Sequence, residues 1–184
     1  MKKNLLSLFT FLFLTIATQA QDKWFTKSGK IEFYSKAPLE DIEAKNKSVQ
    51  AVLDTKSGAF QFSLLMKGFE FDKALMQEHF NENYVESDKF PKADFKGTVT
   101  NNTTINYTKS GTYNVKVKGK LTIHGVTKDI EAPGTIKVDN DELKTASTFT
   151  IKLSDYKISI PSVVKDKISN TVKIVVDCKL EPLK

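Results

Sequence analysis

Two histidines, His79 and His124, and one cysteine, Cys178, are the side chains of this 184-residue sequence best suited to acid–base, nucleophilic or metal chemistry. His79 stands among carboxylates (Glu78, Glu82 and, further on, Asp94). A histidine beside a carboxylate is the arrangement a hydrolytic general base needs. Against this, a zinc site takes three or four ligands, and neither histidine has a second His or Cys at ligand spacing. The other reading makes His79 a packing residue and His124 a hairpin-turn residue. Cys178 falls in phase with strand apolar residues, as a small buried hydrophobe does. Asp139-Asn140-Asp141-Glu142 crudely resembles a calcium loop but lacks its spacing and glycine. There is no G-x-S-x-G elbow, P-loop or dinucleotide fingerprint. The expectation is therefore no catalytic residue, no metal and no cofactor.

The elements that must position these residues are mostly strands. Alternation of apolar and polar side chains marks Ile31–Lys36, Val49–Leu53, Ala59–Met66, Asp94–Thr100, Tyr113–Ile123, Leu143–Leu153 and Val172–Leu180. Ser28-Gly29, Asn46-Lys47-Ser48, Asp54–Gly58, His124-Gly125, Pro133-Gly134 and Asp139-Asn140-Asp141 read as turns. Between two strands lies KGFEFDKALMQEHFNENYVESDKFPKADFKG, from Lys67 to Gly97. Its residues 72–83 carry helical spacing, with Asp72 as N-cap and Asn81 and Asn83 at the end. Short turns imply antiparallel pairing, and closing the sheet removes its edges. The fold class is thus all-β: an antiparallel up-and-down barrel of about eight strands with a short helical insert closing or shaping one end. A two-sheet sandwich is the structural alternative.

The inward-facing candidates are Phe33, Phe60, Phe62 and Leu64 in the first half of the chain, and Phe95, Val99, Tyr113, Val115 and Val117 in its middle. Phe149, Ile151 and Ile174 follow, with Met76 and Phe80 from the insert. Such a barrel is just wide enough to fill itself or to hold one slender ligand. Periodicity leaves both open, so a solid-cored surface or interaction module stays beside a ligand carrier.

Composition narrows the partners. The formal charge of +6 comes from lysine alone, for the chain has no arginine. Arginine is the main reader of phosphate and guanine edges, so a nucleic-acid partner is not expected. Lys2 and Lys3 precede an apolar run, Leu5–Ile16, and a small-x-small site ends at Ala20. That is a signal-peptide pattern, too short for the ~20 residues of a spanning helix. Residues 1–20 are read as a signal peptide cleaved after Ala20, and 21–184 as one domain. Its expected location is periplasmic or secreted, with no integral membrane segment after cleavage. One cysteine permits no intrachain disulfide.

Three stretches resemble the YceI-like family. The first is His79-Phe80, Tyr84 and Phe90-Pro91-Lys92-Ala93-Asp94-Phe95. The second is Gly119-Lys120-Leu121-Thr122-Ile123-His124-Gly125-Val126-Thr127-Lys128, and the third is Leu153-Ser154-Asp155-Tyr156-Lys157-Ile158. The resemblance implies an exported, lipocalin-like eight-stranded antiparallel barrel. It also implies a long isoprenoid, such as a polyprenyl phosphate or isoprenoid quinone, as the partner held inside. His79, Tyr84 and His124 are then candidates for the entrance and headgroup. The sequence departs from many relatives in having Leu75-Met76-Gln77-Glu78 where they carry a base, and His124 where they carry Asn. An enzyme acting on a lipid through a histidine is the alternative. A transient membrane contact is also expected, and oligomeric state is left open.

Overall fold

The computed structural model describes residues 22–183. The signal-peptide expectation lies outside them. The strands are β1 (Lys23–Lys36), β2 (Asp41–Asp54), β3 (Ala59–Leu65), β4 (Glu70–Phe71), β5 (Lys92–Val99), β6 (Gly111–Ile123), β7 (Val126–Asp139), β8 (Glu142–Lys152) and β9 (Thr171–Pro182). One helix, α1 (Ala74–His79), precedes β5 and continues as a π-helical turn over Phe80–Tyr84. The sheet runs β1-β9-β8-β7-β6-β5-β3-β2, and β1 pairs again with β2. All neighbours are antiparallel, and because β1 pairs with both β9 and β2 the eight strands close into the expected barrel, not the two-sheet sandwich. No helix among the described residues is long and apolar enough to cross a membrane.

β4 is a short extra strand rather than a ninth stave. The C-terminal half of β2 pairs with β3 through Gln50–Leu53, while Ala44 and Lys45 pair with β4. β4 therefore resumes the track of β3 after a break at Met66–Gly68. Buried Asn46 bridges that break, its Nδ2 donating to the Leu65 carbonyl at 2.9 Å and its Oδ1 accepting from Ser48 N–H at 2.9 Å. A buried amide needs such partners.

Three expected turns are strand interior. Ser28-Gly29 is a bulge within β1, where register with β2 and β9 shifts. Asn46-Lys47-Ser48 lies inside β2, and Pro133-Gly134 inside β7. The β7 segment up to Pro133 has β6 on one side only, since β8 pairs from Gly134 onward. That is an edge position, which proline tolerates. The helical run starts at Ala74 and, with its π-helical turn, ends at Tyr84, close to residues 72–83, but Asp72 does not cap it; the N-cap is Lys73, with no side-chain hydrogen bond. His124-Gly125 is a true two-residue turn, with φ of 51° and 71°.

The barrel has unlike ends. At one, Trp24, Leu53, Val99, Ile105, Val138, Leu143 and Leu180 form a packed floor, capped by the β5–β6 loop. At the other, a second apolar cluster lines the wall beneath the insert. Between these ends the interior is hollow.

Candidate functional site

The hollow is a cavity of about 550 Å³ that reaches the surface at the insert end. This lies within the range of small-molecule sites. Most of its wall comes from residues alternating along the strands. Phe33 of β1, Phe60, Phe62 and Leu64 of β3, and Phe95 of β5 line it. So do Val115 and Val117 of β6, Phe149 and Ile151 of β8, and Ile174 of β9. Met76, His79, Phe80 and Tyr84 border it from the insert. Two opposed glycines make room for one of these side chains. Gly97 faces Gly119 across β5 and β6, and a Cβ on Gly97 would come within 2.5 Å of the Phe95 ring.

Three candidates do not line it. Val99 is 3% exposed and belongs to the floor. Tyr113 packs on that floor, its hydroxyl donating to the Lys109 carbonyl at 3.1 Å. Both share the inward face, but they sit at the end of β5 and the start of β6, below the hollow. His124 lies in the β6–β7 turn, away from the cavity wall.

The mouth is built on phenylalanines. Phe80 stacks on Phe33 (centroids 5.6 Å, interplanar angle 26°) and meets Phe69 at 5.7 Å and Phe71 at 5.0 Å. Phe33 also meets Phe69 edge-on at 5.2 Å. Such pairs add about 0.5–1.5 kcal/mol each beyond burial. The sequence reading missed Phe69 and Phe71. Their i, i+2 spacing in Gly68-Phe69-Glu70-Phe71 is a strand signal, masked by the helical pattern that follows. It also missed Ile130, Leu153 and Ile158, which close the wall where β7 and β8 part.

The three family-like stretches meet at one structural knot beside this mouth. The Phe90 ring packs on His124 at 4.6 Å and lies over Gly125, where a Cβ would come within 2.5 Å of it. His124 Nε2 lies 2.9 Å from Glu86 Oε2, and Nδ1 lies 3.1 Å from the Tyr156 carbonyl oxygen. Tyr156 is buried in the turn Leu153–Tyr156 that fills the gap between β7 and β8. His124 thus ties the insert and this turn to the hairpin, and both ring nitrogens are engaged.

His79 is exposed, not packed, and makes no side-chain hydrogen bond among the described residues. Polar groups are sparse at the mouth: Lys73 Nζ pairs with Glu40 at 2.9 Å, Lys167 is exposed, and burial raises the Tyr84 hydroxyl above its ordinary range, keeping it a neutral donor. Cys178 is buried, and desolvation pushes its thiol up to about 12, which leaves it unreactive near neutrality. No group of three His, Cys, Asp or Glu side chains converges among the described residues. The arrangement can enclose and orient a long apolar chain; among the described residues the histidine that meets a carboxylate, His124, lies off the cavity wall.

Comparison with known proteins agrees with this geometry. The family model of the YceI-like domain matches residues 17–180. A polyisoprenoid-binding domain from Saccharophagus degradans, implicated in plant cell wall breakdown, superposes with a TM-score of 0.77 at 14% identity, over 89% of this chain and 99% of that one. BcnA of Burkholderia cenocepacia gives 0.67 at 19% identity, over 83% and 95%. The Campylobacter jejuni YCEI protein gives 0.56 at 16% identity, over 100% of each. At these identities the likeness is one of fold. Comparison with curated proteins returns no match.

Proposed function

The chain belongs to the YceI-like family, and from that premise we propose that it is an exported, non-catalytic carrier of a long isoprenoid chain held within the barrel. The observation that carries this reading is the apolar cavity, floored at one end and open beneath the insert. A hollow of that size in a native core is costly, because interiors normally pack to crystal density. A bound hydrocarbon offsets the cost at up to about 0.8 kcal/mol per buried CH₂. The polyisoprenoid-binding domain with the same fold supports an isoprenoid over other amphiphiles. The polar groups at the mouth suit either a phosphate or a quinone head: Lys73, Lys167 and the Tyr84 hydroxyl are all donors, and both heads are rich in acceptors.

Export rests on Lys2, Lys3, the run Leu5–Ile16 and Ala20, with delivery to the periplasm or beyond. A catalytic role is disfavoured by the histidines: His79 borders the mouth but is exposed and has no side-chain hydrogen-bond partner among the described residues, and His124 is engaged away from the cavity.

Native mass spectrometry of protein recovered from its own export compartment tests both claims. The expected result is a chain beginning at Gln21 with a prenyl-lipid adduct. Absence of any adduct, together with no uptake of farnesol or geranylgeraniol by the purified protein, would refute the carrier reading.

A further inference from the structure

The three most exposed large apolar side chains among the described residues are Val163 (87%), Leu39 (71%) and Leu75 (61%). They come from three distant segments that converge on one rim. Leu39 N–H donates to the Asp166 carbonyl at 2.9 Å, joining the β1–β2 turn to the loop that carries Val163. The Lys73–Glu40 pair joins that turn to the start of α1, which carries Leu75. Ser169 N–H donates to Ser35 Oγ at 2.9 Å, fixing the loop again to β1. Glu40, Lys73, Leu75, Val164 and Lys167 border the cavity, so this rim is its mouth.

Resting on the carrier reading, we infer that this rim is a bilayer-docking surface through which the barrel exchanges its ligand with a lipid membrane. Apolar side chains left in water at the mouth of an apolar cavity mark an interaction site. Charge decides which partner fits. The rim segments carry Lys36, Lys73, Lys165 and Lys167 against Glu40, Asp41, Asp72, Glu78 and Asp166. This near balance offers no strong field to an acidic or basic protein. It complements a zwitterionic headgroup layer, where lysine stems extend along the interface and their ammoniums reach phosphates. Leu39, Leu75 and Val163 then enter the acyl boundary, as the apolar face of an interfacial helix does. The cavity becomes continuous with the hydrocarbon, and a prenyl chain crosses without meeting water.

The test uses the mature protein and phosphatidylcholine vesicles, with and without phosphatidylglycerol. The variant is L39S/V163S, because neither residue lines the cavity; V52S, exposed on the β2 outer surface, is the control. Wild type is expected to co-sediment with phosphatidylcholine vesicles, with little change between low and physiological salt. The double variant should partition at least ~10-fold more weakly, about 1.4 kcal/mol, and slow the transfer of a vesicle-loaded prenyl lipid by a similar factor. Its binding of farnesol from solution should equal wild type, and V52S should match wild type throughout. Equal partitioning of the double variant would overturn the inference. So would docking that requires phosphatidylglycerol and vanishes with salt, or a wild-type dimer that the variant loses. Failure of wild type to bind farnesol from solution would instead remove the carrier reading, independently of docking.

Discussion

Phe80→Ala and Val99→Ala separate the hollow from the floor. Complete burial of a phenylalanine side chain is worth about 1.5–3 kcal/mol, so Phe80, mostly but not fully buried, contributes roughly 1.5 from area. Its contacts with Phe33, Phe69 and Phe71 add about 0.5 kcal/mol each at the lower end of aromatic pairing, for a total near 2–3 kcal/mol. Val99→Ala removes two methyl-sized groups, about 1.6 kcal/mol of transfer energy. The void left at that floor position adds on the order of 1 kcal/mol. The two variants should therefore lose similar stability. At roughly 2–4 °C per kcal/mol for a domain of this size, both should melt about 4–12 °C lower, read by circular dichroism. Their ligand behaviour should differ. Phe80 borders the cavity and Val99 does not. Titration with farnesol should show F80A at least ~10-fold weaker, the loss of about 1.4 kcal/mol of contact, with V99A within twofold of wild type. Equal weakening in both, or a larger loss in V99A, would refute the assignment of mouth and floor.

Other outcomes follow from the same geometry. A cavity of about 550 Å³ holds on the order of 18 methylene-sized groups at roughly 30 Å³ each, taking the liquid volume of a water as the measure. Calorimetric affinity for prenyl alcohols should climb steeply to three or four isoprene units and then flatten; an undiminished climb beyond that would show a longer tunnel. His124 has φ of 51°, a conformation Asn adopts readily and a β-branched residue does not. H124V should melt well below H124N, while H124N loses the bonds to Glu86 and the Tyr156 carbonyl, about 0.5–1.5 kcal/mol each, and the edge contact with the Phe90 ring, without the backbone strain. Similar melting of the two would refute the strain argument. Burial pushes the Tyr107 hydroxyl and the Cys178 thiol up to about 12, from ordinary values of 10.0 and 9.0. Below about pH 8 both states keep these protons, and at pH 9 the thiol of the unfolded chain is already half ionised. As pH rises from about 8 to 12 the unfolded chain releases them first, so stability falls across that window. Urea midpoints from pH 8 to 11 should drop, and Y107F should drop less; a flat profile would contradict the burial of both groups.

The β1–β2 pairing decided that the strands close into a barrel and not a two-sheet sandwich, whereas sequence alone determined that they are strands of one antiparallel sheet system, because inward and outward side chains alternate with period two wherever one face is buried. It also determined the family, through three short stretches. Their meaning emerged only in three dimensions: Phe90, His124 and Tyr156 come together as a knot that fastens the insert and the β7–β8 plug. Tertiary structure likewise decided that Ser28-Gly29 and Asn46–Ser48 bend strands instead of ending them, since a glycine or polar cluster serves a bulge as well as a turn. It decided that Val99 and Tyr113, in phase with Phe95 and Val115, belong to a packed floor. Phase gives the face of a strand, whereas height in the barrel depends on register and closure. And it assembled the mouth, since the segments that carry Leu39, Leu75 and Val163 stand far apart in the chain and are joined only because the barrel closes between β1 and β2 and brings the turn, helix and loop to one end.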